Sequence, residues 1–213
     1  MECKIKNDIG TIYITEDVML KDSCFMKRDG SGKVLTKTDI AEYATEVLRK
    51  RLIYAHSYNS PQNAGSYGAH FAQVRIDKRT GETKVTDYLA VCDVGRAINP
   101  MLLTGQIEGA IMIGLGAALF EEAALTETGA TRNNNFKKYK IARMKDMPRI
   151  DIKLVEKGEV GGPFDAKSIG EASLVPVAPA IINAVNDALG MEVELMPASP
   201  DKVLQLLKRR QEA

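Results

Sequence analysis

Two loops hold most of the residues able to do chemistry. One runs Asp93-Val94-Gly95-Arg96-Ala97-Ile98-Asn99-Pro100 and leads into Gly105-Gln106-Ile107-Glu108-Gly109; the other is Gly161-Gly162-Pro163-Phe164-Asp165-Ala166-Lys167-Ser168-Ile169-Gly170-Glu171. In both, glycines and polar side chains stand just before an apolar stretch that reads as a helix, where free backbone N–H groups can hold an anion or the polar edge of a cofactor. Gln106 is an amide on an apolar, Gly-rich helix, so it must bond local backbone or find a partner elsewhere. Glu171 precedes the apolar run Ala172 to Ala178 and, taken alone, reads as a cap or first-turn acid of the next helix. Gly161 to Ser168 fits the phosphate-loop pattern G-x-x-x-x-G-K-[ST] at every specified place except Ala166, which would set Lys167 and Ser168 against nucleotide phosphates. The context argues otherwise: Glu156 to Val160 is too polar for the buried strand such a loop needs, and Gly170 and Pro176 interrupt the helix that should follow. His56 and His70 have no second ligand at metal spacing and read as structural.

These residues need elements to position them, and the composition supplies a foldable chain. The 213 residues are 45% hydrophobic and 27% charged, which excludes disorder, and 29 Lys+Arg against 28 Asp+Glu leave a net charge of +1, with no field to attract nucleic acid or an anionic membrane. Cys3, Cys24 and Cys92 are an odd set without C-x-x-C spacing, so reduced thiols in a cytoplasmic protein are expected. Met1-Glu2-Cys3-Lys4 begins no apolar run, so no signal peptide is expected. The stretch Gly105 to Leu125 carries a small-xxx-small pattern at Gly105 and Gly109, but Gln106, Glu108, Glu121 and Glu122 bound its apolar core, and a packed core helix is expected rather than a membrane span.

The periodicity predicts an amphipathic helix from Lys33 to Arg51 with Asp39 and Glu42 at its start, a loop over Ser57 to Tyr67, and a β-hairpin whose arms carry Ala72, Val74, Ile76 and Val85, Leu89, Val91 around a turn at Asp77 to Gly81. The basic segment Arg132 to Lys157 reads as a solvated face, with Ile150, Ile152 and Leu154 alternating as a half-buried strand. Pro179 should open a helix stopped at Gly190, Glu192 to Met196 should form a short strand, and Ser199 with Pro200 should start the last helix.

Together these segments resemble the C-terminal half of the molybdenum cofactor-binding subunit of the xanthine dehydrogenase and aldehyde oxidoreductase family. The resemblance follows family order through Phe25 to Gly30, Leu35 to Ala44, Tyr67 to Val74, Asp93 to Pro100, Gly105 to Leu119, Gly162 to Glu171 and Leu195 to Pro200. It implies an α+β chain of two subdomains of the molybdopterin-binding type, placed at 1–125 and 126–213. It implies a molybdenum-molybdopterin cofactor, in plain or cytosine dinucleotide form, which carries the redox chemistry while the protein places it and supplies a base. By position Glu171 matches the family's base, the glutamate that takes the proton from the oxygen destined for the substrate. Gln106 matches a glutamine that bonds the pterin, and Lys167, Ser168, Ile169 and Gly170 match a backbone segment lying against the cofactor.

Three departures stand out: Ile113 occupies the place of a second glutamine, and Asp165 and Ser168 replace small residues on the loop. The chain also lacks the iron-sulfur and flavin domains and the first half of the molybdenum subunit. The expected function is therefore a domain or split subunit of a hydroxylase acting on an aldehyde or N-heterocycle with water as oxygen source. Its expected partners are the N-terminal half of the molybdenum subunit together with iron-sulfur and FAD subunits or domains. The isolated chain should be inactive and hold no cofactor, and its bare cleft surface should favour a homo-oligomer. The alternative is a non-catalytic remnant or assembly module that keeps only the fold.

Overall fold

The structure, a computed structural model, describes residues 5–6, 12–13, 17–49, 64–157 and 162–212, with side chains from residue 17 to residue 210 within that set. The chain forms two compact units, Met1–Ser57 and Tyr58–Ala213. The boundary expected at 125/126 runs through the second of them, because a strand and helices from the C-terminal part pack directly on the hairpin and helix that precede it.

The first unit contains the antiparallel pair β1 (Ile5–Lys6) and β2 (Ile12–Tyr13) and a three-stranded antiparallel sheet of β3 (Val18–Lys21), β4 (Cys24–Lys27) and β5 (Leu35–Thr36). Its helix α1 (Lys37–Glu42) runs into a wider π-type turn at Tyr43–Val47. The cap is Thr36 rather than the expected Asp39. The Thr36 hydroxyl accepts from the Asp39 N–H at 3.1 Å, and Asp39 returns a carboxylate oxygen to the Thr36 N–H at 2.7 Å, a reciprocal box that places Asp39 in the first turn. The regular helix is shorter than the 33–51 predicted, and Leu52, His56 and most of the expected loop lie outside the described residues.

The second unit is built on a three-stranded sheet in the order β6 (Gly68–Ile76), β7 (Thr83–Asp93), β8 (Arg149–Val155). β6 and β7 form the predicted antiparallel hairpin, and β8, the alternating strand read from Ile150, Ile152 and Leu154, joins β7 in parallel. A parallel neighbour requires a crossover, and the crossover contains α2 (Pro100–Leu119), started by Asn99, whose side chain accepts from the Leu102 N–H at 3.2 Å. α3 (Val177–Leu189) covers the sheet beside α2, beginning two residues ahead of Pro179 and ending as predicted at Gly190, whose φ of 62° is the left-handed conformation that releases the chain from a helix. α4 (Pro200–Glu212) closes the unit. The antiparallel pairings exclude a doubly wound parallel sheet; the fold is α+β, as expected.

The core joins Val85, Tyr88, Ala90 and Cys92 of β7 to Ile107, Ile111 and Leu115 of α2, Val177, Ile181 and Val185 of α3, and Val203 of α4. α2 and α3 approach so closely that a Cβ added at Gly114 would overlap the Val177 side chain, so glycine is required there. α2 is long and apolar enough by composition to span a membrane, yet its inner face belongs to this core. His70 is structural, as expected: its Nδ1 lies 2.9 Å from the Tyr88 hydroxyl, and burial lowers its pKa while raising that of Cys92. The predicted strand Glu192–Met196 does not form, because the backbone there finds other partners. The Val193 N–H donates to the Asn186 side chain at 2.8 Å, and the Ala198 N–H donates to the Ala118 carbonyl at 2.7 Å.

Candidate functional site

β7 ends at Asp93, and the chain turns at Gly95, whose φ is 61°. That turn receives the second polar loop. Gly95 bridges to Ala166, the Arg96 N–H donates to the Asp165 carbonyl at 2.9 Å, and the Lys167 N–H donates to the Val94 carbonyl at 3.0 Å. A side chain at Gly95 would collide with the Asp165 carbonyl, so the close approach of the two loops depends on glycine. The two segments singled out in the sequence are thus one assembly.

Lys167 crosses it inward. Its Nζ lies 2.7 Å from the Asp93 carboxylate, its side chain is 1% exposed, and it also sits 5.7 Å over the Tyr67 ring. The hydrogen bond from Lys167 holds the Asp93 carboxyl below the usual carboxylate range. A lysine so occupied cannot cradle phosphates, and no helix begins at it, since residues 170–176 form turns before α3. The phosphate-loop reading therefore fails on geometry.

Beyond Lys167 the chain rises to the surface. The Ser168 carbonyl accepts from the Ser66 hydroxyl at 2.6 Å, and the Ile169 carbonyl accepts from the buried Ser173 hydroxyl at 2.8 Å and from its N–H at 3.2 Å. Ile169 is buried, whereas Ser168, Gly170 and Glu171 are exposed. With the carbonyls turned to the body, the backbone N–H groups of Ser168, Ile169, Gly170 and Glu171 donate to no acceptor among the described residues. A row of free N–H groups is a site for an electronegative ligand edge.

Gln106, on the second turn of α2, is exposed and faces the same segment: its Nε2 would lie 3.8 Å from a Cβ placed on Gly170. Its amide makes no hydrogen bond with the described residues, so the alternative of an amide bonded to local backbone is not what forms. Glu171 does not cap the following helix either. α3 starts at Pro176 without a side-chain cap, and the Glu171 backbone carbonyl, not its carboxylate, closes the turn by accepting from the Leu174 N–H at 2.9 Å. The structure therefore brings Gln106 beside Gly170, leaves the neighbouring Glu171 exposed, and buries the Ile169 side chain. It turns the Lys167 side chain away into an ion pair that the sequence reading did not identify. Asp93, the other member, carried a signal in the first loop but no indication of its partner. No cluster of metal-binding side chains occurs among the described residues.

Residues 9–148 match the family model of the molybdopterin cofactor-binding domain. The chain is 36% identical over 159 residues to the probable hypoxanthine oxidase XdhD of Escherichia coli (strain K12), covering 74% of this chain and 17% of that protein. It is 35% identical over 144 residues to the aldehyde oxidoreductase molybdenum-binding subunit PaoC of the same strain, covering 67% and 20%. Among solved structures, quinoline 2-oxidoreductase from Pseudomonas putida 86 superposes with a TM-score of 0.76 at 28% identity over 91% of this chain and 26% of its own. The chain thus spans about a quarter or less of the proteins it matches. With the family model matched over residues 9–148 and relatives at 33–36% identity over about two thirds or more of its length, the chain belongs to the xanthine dehydrogenase and aldehyde oxidoreductase family, as part of its molybdopterin cofactor-binding portion.

Proposed function

We propose that the chain supplies one wall of a molybdenum cofactor cleft, and with it the general base, in a hydroxylase that converts an N-heterocycle or an aldehyde using water as the oxygen source. The observation that carries this reading is the Gln106 amide standing beside Gly170 in a segment, Ser168 to Glu171, whose backbone N–H groups, like that amide, have no hydrogen-bond partner among the described residues. A pterin is rich in ring nitrogens and carbonyl oxygen, and such donors, with an amide that both donates and accepts, suit its edge. When bound, the cofactor supplies the two-electron redox chemistry. The residues of this chain bind and orient it: Gln106 would hold the pterin edge, and the 168–170 backbone would approach without side-chain obstruction at Gly170.

Glu171, on the next residue and free of any cap, is positioned to hold a proton at its carboxylate. Closure of the cleft by a second wall would exclude water from around it and bring it within reach of the proton it takes. The names of the relatives, a hypoxanthine oxidase, an aldehyde oxidoreductase and a quinoline oxidoreductase, set the substrate class proposed here. The second wall would come from the N-terminal part of the molybdenum subunit, with iron-sulfur and FAD partners carrying electrons away, all in the cytoplasm. The exposed face of this chain alone would not retain the cofactor.

Affinity purification of the tagged chain from its own cells tests the assembly: a larger partner and stoichiometric molybdenum are expected, and a bare chain without either would overturn the reading. In the assembled enzyme Glu171→Gln should cost about 10²–10⁴ in rate, the usual contribution of a positioned base. Turnover within a few-fold of the unchanged complex would remove Glu171 from the role and leave the family's base unassigned here.

A further inference from the structure

We infer that Asp93 and Lys167 are a positioning pair, an ionic latch that sets the backbone of residues 168–171, and with it Glu171, in the cleft wall; this rests on the reading that those residues face the cofactor. Every approach of Lys167 to the ligand-facing side is blocked by its own geometry: the side chain is 1% exposed and its ammonium is 2.7 Å from a carboxylate that is itself only 17% exposed. The pair joins positions 74 residues apart, and it lies immediately before the segment whose N–H groups are free. Before it the loop makes a short 3-10 turn at Pro163–Asp165 containing Phe164 and Asp165 at positive φ, 56° and 61°, and after it the buried Ile169 side chain and the Ser66 and Ser173 hydroxyls fasten the segment to the body. A loop in that conformation is held by its attachments, since non-glycine residues there are disfavoured on their own. Hydrogen bonds to Val94, to Arg96 and to Ser66 hold it in place, and the latch adds a charged attachment to them.

Removing the ammonium leaves a carboxylate that must rehydrate, and water entering between Asp93 and position 167 would separate the loop from the end of β7. Glu171 would then stay chemically intact but move relative to Gln106. The arrangement of a side chain that never meets the ligand yet fixes the donors that do is that of a supporting contact. Aligned groups lose much of their effect for small displacements.

The test compares Lys167→Met and Asp93→Asn with the unchanged protein. In the chain, amide hydrogen exchange at Arg96, at position 167 and at Ser173 should accelerate about 10-fold or more for Lys167→Met, while amides of the β6–β7 ladder and α3 change by less than about 2-fold. Asp93→Asn keeps an acceptor for the Gly95 N–H, 3.2 Å away, and should show the same local pattern at smaller amplitude, so it decides the matter if Lys167→Met does not fold. In the molybdenum-loaded complex, Lys167→Met should lower kcat about 10-fold or more with KM within about 3-fold. Uniform acceleration across the second unit, or none at all, would overturn the latch. Local acceleration with unchanged kcat, while Glu171→Gln abolishes turnover, would overturn its positioning role alone; unchanged kcat in both variants would instead overturn the assignment of the site.

Discussion

The two faces of α2 are made of the same kinds of residue and have opposite surroundings. On the inner face Ile107, Ile111 and Leu115 are fully buried and Gly114 is pressed against Val177. On the outer face Met101, Gly105, Gly109, Ile113 and Ala117 recur every fourth residue and all are exposed, with Ile113 at 60% and nothing within 4 Å of where a Cβ on Gly105 or Gly109 would stand. A helix apolar on every side is normally surrounded. The difference teaches that the core of this chain accounts for only half of the pattern written into α2, and that the small-xxx-small stripe at Gly105 and Gly109 is not what packs α2 against α3. Gln106, also exposed, stands on the same helix between Gly105 and the buried Ile107.

That contrast can be broken most directly at Leu115. Leu115→Ala removes a side chain from the centre of the core and should cost about 2–5 kcal/mol in chemical denaturation, whereas a change within experimental error would show that the inner face is not the packed one. Gly114→Ala should destabilise by about 1–3 kcal/mol, because the added methyl must force α2 and α3 apart. Gly109→Ala carries the same chemical change to the open face and should have the opposite sign, stabilising the chain by about 0.4–1 kcal/mol through a less flexible unfolded state. If both glycine variants destabilise alike, the outer face is not open in solution. Ile113→Ser should leave the stability of the chain within about 0.5 kcal/mol, as surface changes do, and its effect should appear instead as weaker retention of a partner.

A polar version of the same contrast appears on acidification. Asp93, hydrogen bonded to Lys167, has a lowered pKa, so the unfolded chain takes up its proton first. The stability contributed by the pair is complete above the ordinary carboxylate range and is lost as pH falls through the lower native value. The acid limb of a pH–stability profile should therefore flatten in Asp93→Asn, and an unchanged limb would show that the pair adds nothing to the fold.

What was legible in the sequence was local. Alternation gave the hairpin and β8, and Gly190 stopped α3, because each of these depends on neighbours a few residues away. The candidate site residues were singled out for a local reason too: Gln106 is an amide on an apolar, Gly-rich helix and Glu171 ends a Gly-rich polar loop. The ion pair of Lys167 was not legible, because a lysine in a Gly-rich loop looks the same whether it faces a ligand or a carboxylate 74 residues distant. Parallel pairing of β8 with β7 crosses the expected boundary at 125/126, and it was not legible because strand direction leaves no mark on a single strand's pattern. The strand expected at Glu192–Met196 had the right alternation but pairs with no strand: the Val193 N–H is taken by Asn186, and two residues past the segment the Ala198 N–H ties the chain to the end of α2.

The parallel seam between β7 and β8 also fixes an order of events during folding. The hairpin closes across the short turn Asp77 to Glu82, but β8 can reach β7 only after the whole stretch from Val94 to Pro148, α2 included, has been drawn together. Loop-closure entropy makes the first contact fast and the second slow. While the ribosome is still translating α2, the hairpin can already exist with the β8 side of β7 unpaired, and that bare edge is where a nascent chain of this protein is most exposed to wrong pairing and most in need of a chaperone's cover.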